Sequence, residues 1–183
     1  MDPVRERSDT IATLQAALVP LEQSMSVKLI PSEGASFAYA MRGARDSNGV
    51  AAVSIRNESG SPRPSGPVAF DTPGPAVRAV LTAMKFNPAM RSAAVIRYSE
   101  RILSVLEDDL FLECASYAPQ PNQPGLSTMD WGIASCCRKA VPDVIYEKTP
   151  AKARSRILVF GEDPADVANN IIICSGRILH SEL

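Results

Sequence analysis

The chain has 183 residues, 45% hydrophobic and 21% charged, the make-up of a single globular domain rather than of a disordered or fibrous chain. Its 19 Lys and Arg against 20 Asp and Glu leave a net charge of -1, so nucleic acid is not a default partner without a separate DNA-binding module. Cys114, Cys136, Cys137 and Cys174 show no C-x-x-C spacing, which argues against a zinc site or a disulfide framework and for reduced thiols.

The opening MDPVRERSDT is charged, and no run of about 18 apolar residues occurs, so a cytoplasmic chain without signal peptide or membrane span is expected. Val4, Ile11, Leu14, Leu18 and Leu21 recur at helical spacing, predicting an amphipathic helix over residues 8 to 24, capped by Ser8 or Asp9, that covers a sheet face. VAAVSI (50 to 55) reads as a strand. Pro62 to Pro75 is proline-rich and is expected to be a loop and candidate ligand lid, since Pro is kept out of central strands. Residues 75 to 86 predict a helix opening on Pro75, with Val77, Val80, Leu81 and Met84 on one face.

AAVIRYS (93 to 99) predicts a strand, and Ser99 can cap a following helix that holds Ile102, Leu103 and Leu106. LFLECAS (110 to 116) reads as another strand, followed by a second proline-rich loop from Pro119 to Pro124. Ser127 and Asp130 form an imperfect capping box for a helix through Ile133, Cys136, Cys137 and Ala140. DVIYE (143 to 147) and RILVFG (156 to 161) complete at least five strands, and Asp163-Pro164 opens a last helix with Val167 and Ile171 inward. Helices interspersed among strands predict one layered α/β domain over residues 1 to 183.

The densest charge is Lys148, Lys152, Arg154 and Arg156, a basic loop that suits a phosphate or diphosphate, because phosphoryl oxygens need several converging donors. The plain alternative is a solvated loop. Arg56 and Arg97 end or interrupt apolar strands, where an unpaired guanidinium is costly to desolvate, so each calls for Glu100, Glu107, Glu113 or a bound anion. Asp130 sets a carboxylate beside Trp131, the only tryptophan, near a helix start. Glu107, Asp108 and Asp109 read as solvated surface rather than a Mg²⁺ site. The single histidine, His180, is close to the C-terminus, so a histidine-based nucleophilic site is not expected, and the common glycine-rich nucleotide motifs are missing.

IRYSE (Ile96 to Glu100), MDWGI (Met129 to Ile133) and PDVIY (Pro142 to Tyr146), in that order and within residues 8 to 175, resemble the ThiN family, the archaeal-type thiamin-phosphate synthase domain. The resemblance implies three α/β/α layers around a mixed, mostly antiparallel sheet of the class II aldolase type. It implies a small-molecule phosphate ligand from thiamin metabolism, held by Arg56, Arg97, Lys148, Lys152 and Arg154, with Asp130 and Trp131 on the pyrimidine or metal side and no residue assigned a catalytic role. An active member is a transferase that joins hydroxymethylpyrimidine diphosphate to thiazole phosphate and releases diphosphate, with Mg²⁺ its candidate cofactor; the need for the metal and self-association stay open.

Several positions depart from the family pattern. Ser32 and Ser36 stand where the family has a carboxylate and an amide, Asn57 replaces a glycine, and Pro75 replaces a histidine. Asp71 adds negative charge, and Lys152-Ala153-Arg154-Ser155 keeps positive charge without the usual pattern. These changes predict a scaffold better kept than its site, hence ligand binding with weak or no synthase activity.

Overall fold

The computed structural model describes residues 2–118, 130–148 and 155–179. Seven strands form one sheet: β1 (Ala35–Ala40), β2 (Val50–Glu58), β3 (Ser61–Phe70), β4 (Ser92–Arg97), β5 (Cys114–Tyr117), β6 (Val144–Glu147) and β7 (Arg156–Gly161), in the order β3-β2-β1-β4-β7-β6-β5. Every neighbouring pair is antiparallel except β5 with β6. The mixed, mostly antiparallel sheet therefore agrees with the expected fold class.

Alternation along the strands separates two cores. Phe37, Val53, Ile55, Ile96, Ile157 and Val159 face one way and pack with α1 (Pro3–Ser24), α3 (Glu100–Ser104) and α5 (Pro164–Arg177). Ala38, Ala52, Val95, Ile145 and Leu158 face the other way, against α2 (Pro75–Met84) and α4 (Trp131–Cys136). Small residues on that second face let α2 lie close to the sheet.

Local sequence explains most boundaries. Asp2 caps α1, accepting from the Val4 N–H at 3.0 Å, so this helix starts earlier than residue 8. Ser99 caps α3 as predicted, and the chain continues as a π-helical turn over Val105–Asp109. Asp163 caps α5 by accepting from the Ala165 N–H at 2.8 Å.

Three expectations are corrected. Residues 61–70 form edge strand β3 rather than a loop or lid; at the sheet margin Pro62, Pro64 and Pro67 leave fewer ladder bonds unmade. Leu110 to Glu113 lie outside β5, and Phe111 has a φ of 54° and an exposed side chain. Helix α4 stops at Cys136, short of Ala140, and its cap is Asp130, which accepts from the Ile133 N–H at 3.0 Å. Ser127, the Pro119 to Pro124 loop and His180 lie outside the described residues.

Candidate anion-binding rim

Strand register brings one row of side chains to a single end of the sheet. Arg97 pairs with Arg156 across β4 and β7, and Tyr117 with Glu147 across β5 and β6. The Tyr146–Ile157 pair sets Glu147 beside Arg156, and the Ala35–Ile55 pair sets Gly34 beside Arg56. Across β2, β1, β4, β7, β6 and β5 the row is thus Arg56, Gly34, Arg97, Arg156, Glu147 and Tyr117. Gly34, Arg56, Arg97 and Arg156 are each one residue away from Ala35, Ile55, Ile96 and Ile157 of the first face, Glu147 is two from Ile145 of the second, and Tyr117 packs against that second core, so the row lies on the α2 and α4 side.

Glycine at position 34 is required by this geometry. Its φ is 100°, and a Cβ there would come within 2.6 Å of the Ser54 hydroxyl oxygen and 3.5 Å of Arg56 Cγ. Ser36, two residues on, accepts from the Ala76 N–H at 3.3 Å and so does the capping that Gly74 cannot do for α2. The position that departs from the family's amide thus has a structural task.

Like charges directly opposite in a sheet repel, and the fold relieves this unevenly. Arg156 pairs with Glu33 at 3.0 Å, and Arg63, opposite Arg56, with Glu22 at 3.8 Å. Arg56 and Arg97 make no ion pair among the described residues. Both side chains are exposed, which corrects the expectation that desolvation is what makes each call for a carboxylate or a bound anion; of these two partners, no carboxylate pairs with either among the described residues. Glu33 also supplies, one residue late, a carboxylate beside the position where Ser32 departs from the family pattern.

The other predicted residues are divided. Asp130 holds α4 in place: besides capping, its N–H donates to the Thr82 hydroxyl oxygen at 3.1 Å. Trp131 is 56% exposed and so no core residue. Lys148 is exposed and comes one residue after Glu147, out of phase with the arginines. Lys152 and Arg154 lie outside the described residues. Asp71, expected to repel a phosphate, is instead bound to the Ser47 hydroxyl at 2.6 Å, next to Phe70, which pairs with Ala51 at the far end of β2 from Arg56.

Tyr117 and Glu147 were not among the residues singled out from sequence. Burial raises the Tyr117 hydroxyl well above its ordinary value, helped by the negative charge of Asp130 and Glu147. Burial also raises the Glu147 carboxyl, opposed by Arg156 and assisted by Asp130. Gly132, in the first turn of α4, lies flat against the Tyr117 ring, and a Cβ there would overlap ring carbons. All four cysteines are free, and burial pushes the Cys174 thiol up to about 12, so it stays protonated. No group of three or more potential metal ligands occurs among the described residues, Glu107, Asp108 and Asp109 included.

The model of the family described as "Thiamine-phosphate synthase ThiN" matches residues 13–173. This chain belongs to the ThiN family. The ThiN chain is 29% identical over 170 residues to the "Bifunctional thiamine biosynthesis protein ThiDN" of Methanocaldococcus jannaschii, covering 90% of this chain and 40% of that protein. It therefore spans well under half of that relative's length. Its fold overlays the crystal structure of the C-terminal domain of protein MJ0236 with a TM-score of 0.84 at 27% identity, covering 96% of this chain and 98% of that one. The C-terminal domain of a phosphomethylpyrimidine kinase overlays with a TM-score of 0.81 at 29% identity, covering 92% and 99%. No helix among the described residues of this ThiN domain is long and apolar enough to cross a membrane.

Proposed function

We propose that this ThiN domain binds a phosphorylated compound of the thiamin pathway, thiamin phosphate or one of its two precursors, at the arginine rim, with weak or no synthase turnover. One observation carries the reading: Arg56 and Arg97 stand on the same face beside Gly34 without an ion-pair partner among the described residues, while their neighbours Arg63 and Arg156 are neutralised. The two arginines are two strand spacings apart, about 10 Å, so their long side chains can grip one anion from either side. Weak turnover is suggested by Glu33, which occupies Arg156, and by Pro75, where the family has a histidine.

The second reading is an active synthase, favoured by a family match that runs over residues 13–173. A diphosphate leaving from the pyrimidine's methylene carbon would hand its negative charge to the arginines, and stabilising that charge is the main catalytic demand. Mg²⁺ fits these residues only as an ion brought in by the diphosphate, since hard cations of this size commonly take one or two carboxylates plus phosphate oxygens.

Calorimetry with thiamin phosphate, thiazole phosphate and hydroxymethylpyrimidine diphosphate, each with and without Mg²⁺, tests the binding, and a synthase assay tests turnover. Arg97→Ala or Arg56→Ala is expected to weaken binding by about 2 kcal/mol, because each removes a charge-assisted contact, with the melting temperature of the free protein unchanged. Absence of binding to all three compounds would overturn the reading; full turnover would replace it with the second.

A further inference from the structure

The rim carries opposite chemistry at its two ends. Arg56 and Arg97 lie over β2 and β4, whereas Glu147 and Tyr117 lie over β6 and β5. Arg156 between them is engaged by Glu33, which separates a cationic half from a carboxylate and phenol half. The half-buried Glu147 carboxylate makes no ion pair or hydrogen bond among the described residues, although an arginine is its register neighbour. The Tyr117 hydroxyl likewise has no hydrogen-bond partner among the described residues, yet it is not sealed off, since no buried side-chain polar atom among them is left unsatisfied. Its ring is fixed by Gly132, so the hydroxyl is presented from a set position.

From Glu147 to Arg97 the row crosses two strand spacings, about 10 Å, and the Glu147 carboxylate, shorter than an arginine and itself anionic, would repel a phosphate held at Arg97. A ligand that uses the whole row must have an anionic end and a separate organic end that a carboxylate and a phenol can recognise. We propose that Glu147 and Tyr117 form the subsite for a basic heterocycle, Glu147 accepting from an amino group or balancing a ring cation and Tyr117 donating to a ring acceptor, while Arg97 and Arg56 hold the phosphate of the same molecule. This rests on the phosphate-binding reading above and adds the ligand's orientation: phosphate toward β2, ring toward β5. The raised carboxyl of Glu147 and its neighbour Asp130 agree with a site completed by a cation or donor from outside the chain.

The test compares two probes, thiamin phosphate and inorganic diphosphate, by calorimetry on the full chain and its Glu147→Gln, Tyr117→Phe and Arg97→Ala variants, each first shown by thermal melt to be folded. Glu147→Gln and Tyr117→Phe are expected to lose about tenfold or more in affinity for thiamin phosphate, the worth of one good polar contact, with affinity for diphosphate within twofold of the parent. Arg97→Ala is expected to weaken both. The proposal is overturned if the Glu147 and Tyr117 variants keep their affinity for thiamin phosphate, or lose both probes alike. If the parent fails to bind thiamin phosphate, or binds diphosphate as tightly, only the heterocycle subsite fails; if it also binds neither of the two precursors, the phosphate-binding reading itself fails.

Discussion

Glu147 carries a half-buried carboxylate at the end of β6, one register step from Arg156. Its pKa lies above the ordinary 4.5 because burial disfavours the charged form more than Arg156 favours it. For an acid raised in the folded state, ionisation works against folding: the cost is fully present above the folded pKa, shrinks as pH falls through it, and is gone well below 4.5, where both states are protonated. Glu147→Gln should therefore melt at a higher temperature than the parent at neutral pH, and the two curves should converge below about pH 4.5. Thermal melts across pH 4 to 8 would check this, and a variant that is less stable at pH 7 would mean that Glu147 supports the fold. Arg56 and Arg97 show what a sequence discloses at this scale. Each is visible as a charge ending an apolar strand, but that they are exposed, and that Glu33 rather than Glu100, Glu107 or Glu113 is the rim's ion-pairing carboxylate, depends on side-chain neighbours brought together by the sheet.

At the level of elements, β-branched runs announce strands and polar caps announce helices, which is why residues 50 to 55, 143 to 147 and 156 to 161, and the capped starts at Ser99 and Asp163, are legible. Strand β1, ASFAYA, is not, because its small residues lack the branched signature. Strand β3 is hidden by its prolines, tolerated only because it is an edge. Missing β1 also hides the site, since β1 lies between β2 and β4 and is what brings Arg56 and Arg97 to one face. Parallel pairing of β5 with β6 likewise joins Tyr117 to Glu147 across 30 residues of chain, beyond any local pattern. The contact between α4 and β5 depends on Gly132. Gly132→Ala would drive a methyl group into the Tyr117 ring, and overpacking of this kind is expected to cost about 1–3 kcal/mol. Urea denaturation would measure the loss, and an unchanged midpoint would mean that the ring moves aside freely.

The whole molecule divides its labour between two faces. The α1 and α5 side holds the larger side chains, with Leu14, Leu21, Phe37 and Ile171 almost wholly buried, and no residue of the rim row belongs to it. The α2 and α4 side is built on alanine and valine against the sheet and ends in the rim. Stability and ligand affinity should therefore respond to different substitutions. Leu21→Ala removes a fully buried side chain from the first face and is expected to cost about 2–5 kcal/mol of stability, the lost burial plus the cavity left behind. Its affinity for thiamin phosphate, measured by calorimetry well below the lowered melting temperature, should stay within twofold of the parent. Arg97→Ala should do the reverse, leaving the free protein's melting temperature in place and shrinking the ligand-induced rise, because a ligand stabilises by the logarithm of its concentration over its dissociation constant. Were Leu21→Ala to weaken binding as strongly as it weakens the fold, the two faces would be coupled through the sheet, and the rim could not be treated as a site set on an independent scaffold.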